Sequence, residues 1–136
     1  MNVNELKQGD IYLLNDEPVR ILKIEEVTNN PGVAPRCFLE LENLKIKVKI
    51  QQSYRIENQE LFLDGDTLIV PEVKKVKVSF SFEDDLLLYF LATEYFEQYY
   101  LLSDFIAAEK KEAILNGEEG VIIVVNDEAL DWEPLD

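Results

Sequence analysis

Residues 75–82 read Lys-Val-Lys-Val-Ser-Phe-Ser-Phe, and this strict alternation is the strongest constraint on the fold. A period of two sends Val76, Val78, Phe80 and Phe82 to one face and Lys75, Lys77, Ser79 and Ser81 to the other. Only a half-buried β-strand uses that pattern. Similar segments recur at 10–14, 19–27 and 37–41. At 44–50, Leu44, Ile46, Val48 and Ile50 alternate with Lys45, Lys47 and Lys49, which predicts a strand with a basic outer face. Asn15-Asp16 and the loop at 28–35 (TNNPGVAP) separate these segments. Short alternating strands broken by turn residues are the signature of a small antiparallel barrel.

The second half continues in the same manner. Residues 60–70 (ELFLDGDTLIV) read as a hairpin closed at Asp64-Gly65. Further strands are expected at 86–91, 96–102 and 121–125, with a last edge strand and an acidic tail in DEALDWEPLD. Ser103 or Asp104 is placed to cap a short helix running to Asn116, with Gly117 as its stop. The chain is thus expected to be mainly β: one barrel in 1–52, a connecting hairpin or linker in 53–72, and a second barrel in 73–136. The 61–70 hairpin fits either barrel.

Charge and composition exclude whole classes of function. Residues 1–50 hold eight acids and seven bases, whereas residues 51–136 hold twenty acids and six bases. A surface of that sign repels a phosphate backbone. The chain has no histidine, which removes imidazole bases, Ser-His and Cys-His pairs and histidine metal sites. Cys37 is the sole cysteine; in an alternating strand it reads as a buried structural thiol, and its solitude points to a reducing compartment, the cytoplasm. Five glycines form no phosphate-cradling loop. Asp64-Gly65-Asp66 lacks the remaining ligands of a calcium loop. No segment is long and apolar enough for a membrane span, and the start at Met1 lacks the order of a signal peptide. Neither enzymatic activity, nor a cofactor, nor a metal is expected.

Three stretches resemble elongation factor P, in order and at nearly its spacing. In ELKQGDIYLLNDEPVRILKIEEV, the residues Gly9, Asp10, Glu17, Pro18, Val19 and Arg20 match the opening of that family, and Asn43-Leu44 is similar to the pair that follows its loop. In YFLATEYFEQYYL, Glu94, Phe96, Glu97, Gln98 and Leu101 are in register with a second family motif. ILNGEEGVIIVVNDEALDWEPL resembles the close of the family's second domain. The resemblance implies an SH3-like first barrel followed by an oligonucleotide-binding-type (OB-fold-like) barrel. It corresponds to the two-barrel layout of the related archaeal and eukaryotic initiation factor five-A.

The family's first domain carries a loop lysine, usually modified, that reaches the peptidyl-transferase centre. The equivalent loop here is Asn29-Asn30-Pro31-Gly32-Val33-Ala34-Pro35, and no lysine lies between Lys23 and Lys45. A valine at the tip neither donates a hydrogen bond nor carries charge to RNA. Two expectations remain open. One is a non-enzymatic factor that binds the ribosome, its RNA or a translation-related partner through Asn30, Pro31, Gly32, Val33 and Ala34, with Arg36, Lys45, Lys47 and Lys49 as RNA contacts. The other is an acidic mimic of nucleic acid that binds a basic protein, with Glu83, Asp84, Asp85, Tyr95 and Tyr99 as the partner surface.

Overall fold

The structure, a computed structural model, describes residues 1–28 and 31–135. Two units of mainly β structure divide the chain, Met1–Pro71 and Glu72–Asp136.

The first unit contains β1 (Ile11–Leu14), β2 (Glu17–Val27), β3 (Arg36–Asn43), β4 (Lys49–Glu57), β5 (Glu60–Phe62) and β6 (Leu68–Ile69). They form one antiparallel sheet in the order β5-β4-β3-β2-β1-β6. The turns Asn15-Asp16 and Asn58-Gln59 both have positive φ at their two residues. That geometry matches the right-handed twist of the strands they join, and asparagine tolerates it. Tyr12, Leu14, Val19, Ile21, Leu39, Leu41 and Tyr54 fill the core.

The segment 60–70 is not a hairpin. The turn at Asp64-Gly65 is present, closed by the Asp66 N–H on the Leu63 carbonyl at 3.0 Å. Its two arms diverge, however: β5 pairs with β4 and β6 pairs with β1. These are the opposite ends of a six-stranded sheet, which when flat lie ~24 Å apart. The five residues between them, with a tight turn among them, do not reach that far. The sheet therefore curls until its ends approach. Asp66 fastens the closure, accepting from Tyr54 Oη at 2.7 Å and Asn15 Nδ2 at 3.1 Å. These bonds hold the Asp66 carboxyl below its ordinary range, while burial first and Asp66 second raise the Tyr54 phenol. Because β4 runs on to Glu57 and β5 and β6 join the same sheet, residues 53–71 are integral to the first unit and not a connector.

Cys37 lies on β3 with no exposed surface. Burial, with Glu26 second, pushes its thiol from 9.0 up to about 11. A folded-state value above the unfolded one stabilises the fold fully below pH 9, and this contribution is lost as pH rises toward 11. We expect alkylation of the native protein at pH 8 to be at least about a hundredfold slower than in denaturant, since the thiolate alone reacts and the site is closed. Equal rates in the two states would contradict that placement. The only cysteine thus reports on the first unit alone.

The second unit contains β7 (Val73–Glu83), β8 (Leu87–Ala92), β9 (Gln98–Leu102), α1 (Ala108–Leu115), β10 (Gly120–Val125) and β11 (Glu128–Pro134). Their order is β11-β10-β7-β8-β9, and β9 and β11, at its two ends, come into contact. A curled five-stranded sheet with a helix between its third and fourth strands is the arrangement of an OB-type barrel. Trp132, Phe90, Leu88, Ile122 and Val78 fill its interior, and α1 adds Ile114.

Three sequence expectations fail in this unit. The helix does not start at Ser103 or Asp104: a 3-10 turn occupies Ser103–Phe105, and α1 begins after Ala107 without a side-chain cap. Its end is as expected, with Gly117 at φ +81 and its N–H on the Ile114 carbonyl. Phe82 does not follow Phe80 into the core, because the β7–β8 register shifts between them. One extra residue in a strand reverses the side of everything beyond it. Tyr95 and Phe96, expected near the start of a strand, lie in the turn before β9.

Candidate functional site

Val27 pairs with Arg36 at the base of the β2–β3 loop. Asn30, one of the expected loop residues, lies outside the described residues, as does Asn29. Pro31, Gly32, Val33 and Ala34 are all exposed, with Gly32 at φ +77 and Val33 58% accessible. The Pro35 carbonyl accepts from the Ile56 N–H at 2.9 Å, which ties the end of the loop to β4.

Arg36 is half-buried at the first position of β3. Its Nε donates to Ser53 Oγ at 2.7 Å and its Nη2 to the Ser53 carbonyl at 3.2 Å, laying the guanidinium across β4. Directly opposite in the β3–β4 register stands Arg55. Like charges in that relation repel. Arg55 is accommodated by Glu57, 2.5 Å from its Nη2, and by the Phe62 ring, 5.0 Å beneath its guanidinium. Both arginines line an open groove of about 370 Å³, together with Gln52, Phe62, Asp64 and Asp66. Reading the sequence missed Arg55. The signal that finds it is cross-strand pairing with Arg36, which requires the register.

The three lysines lie elsewhere. Residues 44–48 form a turn and not a strand, so only Lys49 belongs to β4. Asn43 Oδ1 accepts from the N–H groups of Lys45 at 2.9 Å and Ile46 at 3.3 Å, and the Lys47 N–H closes on the Asn43 carbonyl with φ +58 at Lys47. The alternation that predicted a strand is overridden by this side-chain bonding, which reverses the chain. Ile46 and Val48, expected to be buried, are about half-exposed. Lys45 and Lys49 are exposed and Lys47 half-buried. This turn stands at the far end of β3 from the loop, eight residues and ~23 Å away. The structure therefore pairs the loop with Arg36 and Arg55, not with Lys45, Lys47 and Lys49.

On the second unit, Asp84 serves the β7–β8 turn. Its Oδ1 accepts from the Leu86 and Leu87 N–H groups at 2.9 and 2.8 Å, and its Oδ2 from Tyr89 Oη at 2.9 Å. The two backbone donors, then the phenol, hold its carboxyl below the ordinary range. Glu83 and Asp85 flank it, exposed. Tyr95 and Tyr99 do not share a strand face: Tyr95 is a turn residue, 76% accessible, while Tyr99 faces the core and donates to Glu97 Oε2 at 2.8 Å. The outward tyrosines of this sheet are Tyr89 and Tyr100. Among the described residues no three His, Cys, Asp or Glu side chains converge as a metal site would require.

No family model matches the chain. Among curated proteins, elongation factor P of Sulfurovum sp. (strain NBC37-1) is 23% identical over 133 residues, covering 98% of this chain. The chain spans 66% of that relative's length. Among solved structures, Eukaryotic translation initiation factor 5A from Methanococcus jannaschii superposes with a TM-score of 0.68 at 16% identity, over 99% of this chain and 90% of that one. A translation initiation factor eif-5a family protein from Naegleria fowleri ATCC 30863 gives 0.56 at 14% identity, over 99% and 96%. The curled sheets and their connecting turns thus have the two-domain barrel fold of these factors. At low sequence identity, the chain is related to the elongation factor P and initiation factor 5A family.

Proposed function

We propose that this protein is a ribosome-associated translation factor of the elongation factor P type, acting by binding and without catalysis of its own. The observation that carries this reading is the fold likeness to an initiation factor 5A over nearly the whole length of both chains, joined to a sequence match with an elongation factor P along 98% of this chain. The β2–β3 loop is the leading edge, and Arg36 with Arg55 at its base meets RNA phosphate, for which the guanidinium fork is suited. Lys45, Lys47 and Lys49 form a second basic contact at the other end of β3. The second unit, with sixteen acids and five bases, keeps away from RNA. Because the loop carries no lysine and exposes Val33, it shapes its surroundings by packing and not by charge. Such a protein works in the cytoplasm, where the ribosomes are.

Co-sedimentation with ribosomes of the source organism, across a salt series, tests this. The protein is expected to pellet at low salt and to be released as salt rises. Arg36→Glu with Arg55→Glu is expected to weaken pelleting at least tenfold, and Lys45→Glu with Lys49→Glu by a smaller factor. Protection of Cys37 from alkylation verifies that the first unit is still folded in each variant. Absence of pelleting at low salt, or pelleting indifferent to both pairs, would overturn the proposal.

A further inference from the structure

The outer face of the β7-β8-β9 sheet is apolar where solvent should meet polar side chains. One face of an antiparallel sheet normally packs on the core and the other is polar. Here the strand registers align outward rows: Leu87 with Leu102, Phe82 with Tyr89 and Tyr100, and Leu91 between Ser79 and Gln98. The inward partners Leu88, Leu101 and Phe90 are fully in the core, so these rows are the opposite face. Phe82 is 50% accessible, Tyr100 60% and Leu102 50%. The central row is a ladder of rings. Phe82 stacks on Tyr89 with centroids 4.3 Å apart and planes 14° apart, and Tyr89 lies 6.4 Å from Tyr100. Tyr89 is held in place by its bond to Asp84. The ladder exists because the irregularity between Phe80 and Phe82 turns Phe82 outward.

What surrounds the ladder identifies its occupant. Between residues 78 and 109 there are seven acids and no base. Asp84, Asp85 and Asp104 stand by the strand ends next to the Leu87–Leu102 row, and Glu94 and Glu97 are in the turn at the other end. Lys77, farther along β7, is the nearest base on this face. Aromatic ladders on OB-type sheets suit nucleic-acid bases when flanked by basic residues. An acidic flank repels the phosphates and favours a cation. A second copy of this chain is disfavoured by the same charge, net −11 on this unit. Three strands across and three rows along span only ~10 by ~14 Å, the footprint of a short segment.

We infer that this face docks a basic, extended segment of another protein, its apolar side chains on the Phe82–Tyr89–Tyr100 ladder and its Lys or Arg side chains on the acids at either end. This does not depend on the ribosome reading, and the experiment uses no ribosomes. The full chain is titrated with four probes: ten-residue peptides alternating Lys with Leu, Lys with Ser and Glu with Leu, and a single-stranded ten-nucleotide DNA. Backbone amide resonances locate the binding. The Lys/Leu peptide is expected to bind at least tenfold tighter than the other three, shifting resonances in β8 and β9. Tyr100→Ser and Leu102→Ser are each expected to weaken it at least tenfold, with Trp132 fluorescence unchanged as the sign of an intact fold. The inference is overturned if no peptide binds, if Lys/Ser or the DNA binds as well, or if the shifts fall elsewhere. It is equally overturned if Tyr100→Ser has no effect, or if sedimentation shows a dimer that Tyr100→Ser dissolves.

Discussion

Gly120→Ala is expected to lower the midpoint of thermal unfolding of the second unit by more than about 12 °C. A β-carbon at position 120 would occupy the space of the Trp132 indole, which reaches it diagonally from the paired strand, two residues before its partner Pro134. The ring is 1% accessible and rigid, wedged among core side chains of the second unit, so it has nowhere to move. Overpacking a closed core in this way costs about 3 kcal/mol. For a unit of this size that is several degrees per kcal/mol. The only tryptophan of the chain is the ring in question, so its fluorescence follows this unit alone. Trp132→Ala, which removes the fluorophore and is therefore followed with the double variant by circular dichroism, opens a cavity instead and is expected to destabilise by about 4 kcal/mol. The double variant should then be less destabilised than the two losses added, because each change relieves the defect of the other. Strict additivity would show that the close approach of Gly120 to the ring is not what restricts position 120.

The second large effect is expected at the ion pair that ties α1 to β11. Lys110 Nζ donates to Asp131 Oδ2 at 3.1 Å, and Asp131 Oδ1 accepts the Trp132 N–H at 2.8 Å. Asp131 is 5% accessible, whereas the exposed pair Lys74–Glu72 has both side chains in water. Removing the lysine takes a cation away from a carboxylate in the less hydrated of the two positions. Lys110→Met is therefore expected to cost about 3 kcal/mol, and Lys74→Met less than about 0.5 kcal/mol. Asp131→Asn, which keeps an acceptor for the Trp132 N–H, should fall between them. Urea unfolding followed at Trp132 measures all three. Equal effects of Lys110→Met and Lys74→Met would contradict the assignment of Asp131 as a buried anchor.

Much of this molecule was legible in local chemistry. Period-two runs marked β2, β3 and β7, a β-branched run marked β10, Gly117 marked the end of α1, and Asn15-Asp16 marked a two-residue turn. Two more turns of the same kind, Asn58-Gln59 and Asn126-Asp127, carry positive φ at both residues and begin with asparagine as well. The likeness to elongation factor P was readable from ordered motifs, and so was the lack of a lysine in the loop. What periodicity determines is which residues alternate within an element. It does not say where the chain reverses when a side chain takes over backbone hydrogen bonds, as Asn43 does ahead of Lys45.

Tertiary structure alone decided the candidate sites. Arg55 meets Arg36 only through the β3–β4 register, a relation between residues nineteen apart that composition does not encode. Phe82 leaves the core only because β7 and β8 slip between Phe80 and Phe82. The turn at Asp64-Gly65 was visible, yet its arms joined opposite ends of a sheet because closing the barrel satisfies two edges at once. Local sequence determined the elements and their turns; pairing, a long-range competition for hydrogen bonds and burial, determined which side chains became neighbours.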